Sequence, residues 1–303
     1  MMPAIPAPLS SFYQKFPLVL LDPLQPSTPA PSPAQLWALG PPPSGHSESV
    51  DPLCRVSQAF ARFAQVPLQR ETRWVGWDNV EAAPGGVLPA VHTETGDLLV
   101  GEEVDNWVGR EMRKIEQGGK KRASNGGASE FGSPGRDDAA STPAAQDPTH
   151  QAYFALVEST LLPAVLSSLY LSPPGTAPLV VPSTPKPVLS ALAGSLLSWN
   201  DRSRRIEEVK RLRGAKGGKK SVLDLEEVER EAKETIEALE EKLRAAGGKG
   251  EWFGGASSPT RLDALIYALL SIVRILPSSC DYVLRPALER SPALLAWVKK
   301  HDP

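Results

Sequence analysis

Residues 117–147 separate two parts of the chain that have different sequence patterns. They are rich in glycine, serine, alanine and charged residues and show no apolar periodicity. Before this stretch, short apolar runs bounded by glycine and proline alternate with helical spacing, whereas only helical spacing recurs after it. A flexible linker between two such patterns predicts two folded parts of different class. We therefore predict four consecutive segments: a Pro-rich leader at 1–34, an α/β domain at 35–114, a linker at 115–147 and an all-helical domain at 148–303.

Composition narrows the classes of function. With 41% hydrophobic residues among 303, the chain is long enough to bury a proper apolar core. The formal net charge of −2 argues against nucleic-acid binding, which calls for a clearly basic domain. Cys54 and Cys280 are too few for a disulfide framework, which fits a reducing cytosolic setting.

No stretch of the sequence meets the length of a membrane-spanning helix, which needs roughly 18 to 20 consecutive apolar residues. The best apolar runs, 161–171 and 262–276, are short or interrupted by Pro163 and Arg274. The leader has one apolar stretch, Phe16–Leu21, and too few basic residues for a secretory signal or a matrix presequence. We therefore predict that any membrane attachment is peripheral.

Between leader and linker, the pattern predicts the order strand, helix, strand, strand, strand, helix. Asp51 is a good N-cap for the first helix, with Pro52 at the first helical position. The other predicted elements are strands at Leu36–Leu39, Glu71–Trp77, Leu88–Thr93 and Leu98–Val100, and a helix with Val104, Trp107 and Val108 on one side. This order is the thioredoxin-like layout with one helix reduced to a loop.

After the linker, every periodic segment has helical spacing. Asp147 and Pro148 begin the first helix of this half. Further helices are predicted at Leu189–Trp199, Leu225–Leu243, Leu262–Leu276 and Pro292–Lys300. A basic segment around 201–221 separates the second helix from the third and is predicted to be a mobile insert.

Three local patterns resemble the glutathione transferase superfamily. Pro89 falls where that superfamily keeps a cis-proline before its third strand, and only an X-Pro bond makes a cis peptide readily accessible. Residues 251–254 are similar to the loop that leads to its buried helix. Thr260 and Asp263 match its S/T-x-x-D capping box. The resemblance implies a glutathione-transferase-like fold, an N-terminal thioredoxin-like α/β domain plus a C-terminal all-α helical domain, with structural roles for these residues and for Asp51.

Within that superfamily, the chain most resembles the metaxins. The fragments that carry this likeness, in order and in spacing, are Ser49–Cys54, Gly86–His92, Gly96–Glu102, Ser258–Leu270 and Leu284–Pro286. The leader and the lack of a C-terminal anchor look more like the anchor-less metaxin type, the fungal receptor subunit of the mitochondrial sorting and assembly machinery. Its paralogue stays open as an alternative.

The metaxin resemblance implies a non-catalytic subunit without a cofactor, on the cytosolic face of the mitochondrial outer membrane. The implied partners are the outer-membrane β-barrel core subunit, a second metaxin-like subunit and β-barrel precursors, recognised by the β-signal of their last strand. A thioredoxin-like sheet can present an edge strand for β-augmentation, which suits such a role. The alternatives are a glutathione transferase or glutathione-dependent redox enzyme and, third, a transferase-like adaptor domain of a translation complex.

The enzyme alternative requires a Tyr, Ser or Cys after the first strand to stabilise a thiolate, and a Glu/Gln-Ser pair opening the third helix. The first loop offers only Ser44, Ser47 and Ser49, and the pair position reads Glu102-Glu103. A second carboxylate in place of Ser removes a donor and repels an anionic ligand. We therefore predict no glutathione chemistry.

Cys54 and Ser57 form a C-x-x-S pattern near a helix N-terminus, where the helix dipole lowers the pKa of a thiol. Because Pro52 and Leu53 precede it, Cys54 lies inside the first turn. This position favours a small packing residue over a redox group.

Two remaining sets of residues were weighed for binding. The four histidines are far apart without cysteine or carboxylate at ligand spacing, which predicts no metal site; they are His46, His92, His150 and His301. A basic segment directly after an apolar helix is a candidate contact with an anionic membrane surface or a partner; its first members are Trp199, Arg202, Arg204 and Arg205. The alternative is an exposed basic loop that faces the acidic helix at 224–241.

Overall fold

The computed structural model describes residues 32–42, 46–76, 83–123, 147–170, 207, 209–212, 224–246, 252–255, 258–276 and 283–303. The strands are β1 Gln35–Leu39, β2 Arg73–Val75, β3 Ala90–His92 and β4 Leu98–Val100. The helices are α1 Pro52–Phe63, α2 Glu102–Ala123, α3 Pro148–Leu156, α4 Leu162–Tyr170, α5 Leu225–Ala245, α6 Arg261–Ile275, α7 Leu284–Glu289 and α8 Pro292–Lys300. A π-helical turn, Val157–Leu161, joins α3 to α4, and 3₁₀ turns lie at Pro84–Gly86 and Phe253–Gly255.

The strands form one four-stranded sheet in the order β2-β1-β3-β4. β1 runs parallel to β2 and antiparallel to β3, which is antiparallel to β4. The parallel pair requires a crossover, and α1 supplies it between β1 and β2. This is the predicted thioredoxin-like order, and the helices α3 to α8 follow it. The predicted glutathione-transferase-like fold is therefore confirmed.

The two faces of the sheet are used differently. Paired residues share a face because side chains alternate along a strand. One face presents Leu36, Val91 and Leu99, which belong to or pack against the large core shared with the helices. The other face presents Trp37, Ala90 and Val100. The sheet thus rests its first face on the helical half.

The main core is built around α6, whose residues Leu262–Val273 are all buried. α1 packs against α6 along its length, so the two halves of the chain share one hydrophobic core. Within α1, Val56, Phe60 and Phe63 lie at helical spacing and are buried. Burial of an aromatic or large aliphatic side chain is worth about 1.5–3 kcal/mol, so this face holds the halves together.

One predicted helix boundary was wrong. α2 continues to Ala123, into the segment predicted as a linker from 115, and so extends well beyond its buried Met112. Pro163 interrupts the apolar run of the sequence but not the helix, which was predicted to continue past this proline. The π-helical turn just before it accommodates the missing hydrogen bond, so helix runs from Pro148 to Tyr170 without a break.

No helix long and apolar enough to span a membrane was expected from the sequence, and this continuous helix corrects that expectation. Its 23 residues are long and apolar enough to cross a membrane, with a mean hydropathy of 1.4 over an 18-residue window. Half of that window is nevertheless buried inside the protein. Val157, Leu161 and Val165 are fully buried in the main core, where this helix contacts α5 and α6. A core helix passes the same test of length and composition as a spanning one, and the packing favours a core helix.

The C-terminal helices follow the predicted periodicity with three differences. α5 buries Val228, Ala232, Ile236 and Leu239 as its spacing predicts, but Leu225 at its first position is 42% exposed. The short helix α7 was missed, because six residues hold too few apolar positions to show a period. Residues 207 and 209–212 are helical and place a fully buried Val209 in the core, so this part of the basic insert is not an exposed loop.

Several predictions fall outside the described residues. These are the apolar stretch of the leader, the helix at Leu189–Trp199, the candidate contact residues Trp199, Arg202, Arg204 and Arg205, and residues 124–146 of the linker.

Candidate functional site

The loop after β1 is where a transferase would hold its thiolate-stabilising group. Ser44 lies outside the described residues, and Ser47 is exposed. Ser49 is buried: its hydroxyl donates to the carbonyl of Leu39 at 2.5 Å and accepts the amide of Asp51 at 3.1 Å. The Ser49 hydroxyl therefore ties the loop to the end of β1.

Cys54 is a packing residue in this structure, as predicted. Its side chain is 1% exposed and forms a small cluster with Ala38 and Leu39. The sulfur accepts the backbone amide of Leu39 at 3.4 Å. A reactive thiol needs access to solvent or substrate. The burial of Cys54 leaves it without such access.

Asp51 caps α1 as predicted and also contacts the helical half. One carboxylate oxygen accepts the amide of Cys54 at 3.0 Å, which satisfies an otherwise unpaired amide of the first turn. The other oxygen accepts the hydroxyl of Tyr170, at the end of α4, at 3.1 Å. This second contact is not visible in the sequence, because the partner is 119 residues away.

The predicted cis peptide bond, between Leu88 and Pro89, lies directly before β3. The carbonyl of Pro89 accepts the amide of Gly101 at 2.8 Å, which closes the β3–β4 hairpin at this end. Glu102 and Glu103 follow and are exposed. The Glu103 carboxylate accepts the amide of Val100 at 3.3 Å. The second carboxylate of the pair thus bonds to the strand before it.

The capping box at the start of α6 is present as predicted. The Thr260 hydroxyl faces the Asp263 amide at 3.4 Å, and the Asp263 carboxylate accepts the Thr260 amide at 2.8 Å. The same carboxylate also accepts the amide of Phe253 at 2.5 Å. Burial raises the pKa of Asp263 to about 6, although the hydrogen bonds from Thr260 and Phe253 act in the opposite direction.

A buried charged cluster at the junction between α1 and α6 was missed by sequence analysis. Its centre is the carboxylate of Glu48, in the loop before α1. It lies 3.3 Å from the Arg55 guanidinium, 3.0 Å from that of Arg62, and accepts the hydroxyl of Tyr267 at 3.1 Å. Burial, and then the charge of Glu48, raise the pKa of Tyr267 to about 12. We call these four residues the junction cluster.

The last helix and the residues after it complete the junction. Arg62 donates to the carbonyl of His301 at 2.6 Å, and Asp302 pairs with Arg274 of α6 at 2.5 Å. The His301 ring packs against those of Phe63 and Trp297. The end of α8 is therefore bonded both to α1 and to α6.

A second polar bridge crosses between the halves through Asp105 of α2. Its two carboxylate oxygens accept the hydroxyl of Ser57 at 2.6 Å and the guanidinium of Arg261 at 2.7 Å. Asp105 and Ser57 are buried, so the bond between them is shielded from water, whereas the side chain of Arg261 is 39% exposed. Ser57, weighed above as part of a redox pattern, instead connects α1 to α2.

A depression of about 280 Å³ lies between α6, α7 and α8 and is lined by Arg274, Arg285, Leu288, Glu289, Leu295 and Lys299. Ligand pockets are usually larger, roughly 300–1,000 Å³. Arg274 pairs with Asp302, and Arg285 pairs with Glu289, so two of its cations have carboxylate partners. Within the described part of the chain, no three His, Cys, Asp or Glu residues are placed to hold a metal ion.

Residues with local roles could be predicted from the sequence, whereas residues whose partners are distant could not. Asp51, Pro89, Thr260 and Asp263 belong to caps or turns that short motifs describe. The junction cluster joins Glu48 to a residue 219 positions away. The one available signal was Tyr267, a hydroxyl in the middle of an apolar helix, which needs a partner when buried.

Comparison with known proteins returns structures but no sequence family. No protein-family model matches the sequence, and neither does any curated protein. A glutathione transferase family member from Pseudomonas fluorescens, with two glutathione bound, matches 95% of this chain and 92% of its own, at 13% identity and TM-score 0.44. A glutathione S-transferase of Ceriporiopsis subvermispora in complex with glutathione matches 89% and 98%, at 14% identity and TM-score 0.49.

A glutathione transferase from Phanerochaete chrysosporium gives a similar result, with 89% and 98% of the two chains covered at 12% identity and TM-score 0.47. Matches at this level of identity and TM-score do not indicate an activity, a ligand or a partner for this chain. The chain has a glutathione-transferase-like fold, in which the sheet order, the cis-proline before β3 and the helical half agree with that plan. The same plan supports both enzymes and binding proteins, so the residues of the site must decide between them.

Proposed function

We propose that this chain is a non-catalytic subunit of the mitochondrial sorting and assembly machinery. In this role it acts as a peripheral protein on the cytosolic face of the outer membrane. It receives β-barrel precursors by their β-signal and contacts a β-barrel core subunit and a second metaxin-like subunit. No nucleic acid takes part. Two observations support the proposal: the metaxin resemblance of the sequence, and the side chains at the positions where a transferase would hold glutathione.

The observation that carries the non-catalytic part is the use of the candidate catalytic groups in internal bonds. The Ser49 hydroxyl holds the carbonyl of Leu39, and the Cys54 sulfur is buried against the same strand. Glu103 takes the place of the serine that would donate to a bound tripeptide, and its charge repels an anion. Thiolate activation requires a donor that points at the ligand, and these three side chains do not supply one.

The second candidate is a glutathione transferase or a glutathione-dependent redox enzyme. It is favoured by the retained cis bond at Pro89 and by the fold itself. Ser47 is exposed in the loop after β1 and is the hydroxyl that this alternative would use.

The two candidates separate in one pair of measurements on the full chain. The first is capture on a tagged protein from detergent-solubilised mitochondria, followed by identification of an outer-membrane β-barrel subunit. The second is conjugation of glutathione to a model electrophile by the purified protein. We expect capture of the barrel subunit and no conjugation above the uncatalysed rate.

Conjugation that disappears in a Ser47→Ala or Cys54→Ala variant would establish the enzyme instead. A companion extraction tests peripheral attachment, because alkaline carbonate releases proteins held by partners and leaves spanning helices in the membrane. Retention in the membrane pellet without the barrel subunit would contradict it and would point to the helix Pro148–Tyr170.

A further inference from the structure

The outer edge of β4 has no strand beside it among the described residues, since β4 ends the sheet order. The hairpin bonds determine which groups face that edge. The amide of Thr93 donates to Asp97 at 2.9 Å and the amide of Gly101 donates to Pro89 at 2.8 Å. In an antiparallel pair, bonded and non-bonded positions alternate, so Leu99 bonds inward to Val91. The amides and carbonyls of Leu98 and Val100 therefore point outward.

The contact of Glu103 independently supports this assignment. Its carboxylate accepts the amide of Val100, which is reachable only on the outer edge. Within the part of the chain that the structure describes, the carbonyl of Val100 and both backbone groups of Leu98 are left for an incoming strand. A strand added here would form two bonds with Leu98 and one with Val100.

The side chains beside this edge are apolar and exposed. Leu98 is 47% exposed and Val87 is 43% exposed, the two largest values among the large hydrophobic side chains described. Val87 lies beside Gly101, which directly follows Val100. Leu98 and Val100 both point to the face that carries Trp37. We call Val87, Leu98 and Val100 the edge patch.

The charges in the chain segment that contains β4 have one sign. Residues 93–103 include four carboxylates and no lysine or arginine; they are Glu94, Asp97, Glu102 and Glu103, all exposed. Natural edge strands are commonly protected by lysine, which resists pairing with another strand. Here the carboxylates lie at the two ends of β4 and leave its middle apolar. This arrangement attracts a cationic segment and repels an anionic one.

We propose that the outer edge of β4 binds an extended polypeptide segment with apolar side chains at alternate positions and basic residues at its ends, as a fifth strand. The inference rests on the proposed binding role and adds the place and the chemistry of the bound segment. Main-chain bonds to Leu98 and Val100 provide the pairing. The alternate apolar side chains of the segment extend the edge patch, and its basic ends meet the four carboxylates.

Two labelled heptapeptides test this proposal on the full chain by fluorescence anisotropy: Lys-Val-Thr-Val-Thr-Val-Lys and its counterpart with glutamate at both ends. We expect the basic peptide to bind at least about tenfold more tightly than the acidic one at low salt, with the difference shrinking as salt screens the charges. Equal affinities, or preference for the acidic peptide, would overturn the proposal.

A matched pair of variants locates the binding. Leu98→Lys places a charge on the open edge and should weaken binding of the basic peptide about tenfold or more. Leu225→Lys changes a leucine of similar exposure, 42%, on α5 and should leave binding unchanged. Equal effects of the two variants would mean that the peptide binds elsewhere or without specificity, and would overturn the proposal.

Amide hydrogen exchange supplies the backbone readout. In the free protein the Leu98 amide should exchange rapidly and the Leu99 amide slowly. Adding the basic peptide should slow exchange at Leu98 at least about tenfold and leave Leu99 unchanged. A Leu98 amide that is already protected in the free protein would overturn the proposal, because a second copy or another segment of this chain would then hold the edge. Barrel capture with no peptide binding would reject this inference and leave the proposed function standing.

Discussion

The junction between α1 and α6 and the outer edge of β4 show opposite chemistry. At the junction, charges of both signs are buried and paired, as Glu48 is with Arg55. At the edge, four carboxylates are exposed with no cation among residues 93–103, and Leu98 has little cover. The junction buries its charges inside the fold, whereas we propose that the edge binds a partner.

Mutations in the two regions should therefore have different effects, on stability at the junction and on binding at the edge. Removing one member of a buried pair leaves an uncompensated charge, so junction variants should lose stability. Exposed side chains contribute little to stability, so edge variants should fold normally and change binding alone. If the junction variants and the edge variants lost similar amounts of stability, this division would be wrong.

The largest effect is expected for Glu48→Ala. It removes the carboxylate shared by Arg55, Arg62 and Tyr267 and leaves the buried Arg55 without its ion pair. We expect a loss of about 3–5 kcal/mol in the free energy of unfolding, measured by denaturant titration. Glu94→Ala, at the exposed edge, is the matched control and should cost less than about 0.5 kcal/mol. Equal losses from the two would show that the junction cluster is not a stabilising centre.

A smaller loss of about 3 kcal/mol is expected for Asp263→Ala. The change leaves the amides of Phe253 and Thr260 buried without an acceptor, each at a cost of about 1–3 kcal/mol. Thr260→Ala removes only the hydroxyl of the cap and should cost about 1 kcal/mol. If Thr260→Ala were as damaging as Asp263→Ala, the two buried amides would not be the source of the loss.

The raised pKa of Asp263 adds a pH dependence to this prediction. The pKa of this carboxyl is about 6 in the folded state, above its ordinary value of 3.8, so the folded state holds the proton more tightly than the unfolded chain does. Its contribution is complete below about pH 4 and is lost as pH rises through 6. The stability of the wild type relative to Asp263→Asn should therefore fall by up to about 3 kcal/mol between pH 4 and 7. A difference that stayed constant over this range would contradict the raised pKa.

Tyr267→Phe should have an intermediate effect, because it removes one hydroxyl from the junction cluster and keeps the ring. A hydrogen bond to a charged group contributes about 1.5–3 kcal/mol at most, and we expect a loss of about 1–2 kcal/mol. A double-mutant cycle with Glu48→Gln measures the coupling directly. Additive losses in that cycle would show that the 3.1 Å contact between Tyr267 and Glu48 contributes nothing.

The same contrast shows which features of the structure can be predicted from the sequence. The order of strands and helices, the cap at Asp51, the cis bond before β3 and the capping box at Thr260 all depend on residues within a few positions of each other. Local spacing and turn chemistry encode such features. The junction cluster depends on which distant helices meet, and no local pattern encodes that.

Two helix ends differ from their predictions. α2 was expected to end before the linker at 115, yet it continues to Ala123. Leu225 continues the apolar spacing of α5 but lies exposed at its first turn, where nothing described packs over it. In both places the end of a helix departs from what the apolar spacing predicts. The sequence therefore predicts elements well and their ends less well.

The smallest effect, and the sharpest contrast, is expected between the adjacent leucines of β4. Leu99 points to the face that packs on the core, so Leu99→Lys should cost about 1 kcal/mol or more in the free energy of unfolding. Leu98 points to the open face, so Leu98→Lys should change stability by less than about 0.5 kcal/mol while weakening binding of the basic peptide. The two residues are adjacent in one strand and receive the same substitution. Any difference between their losses of stability therefore comes from the face of the sheet to which each side chain points. Equal stability losses would mean that Leu98 is covered in solution, and the edge of β4 would then not be open.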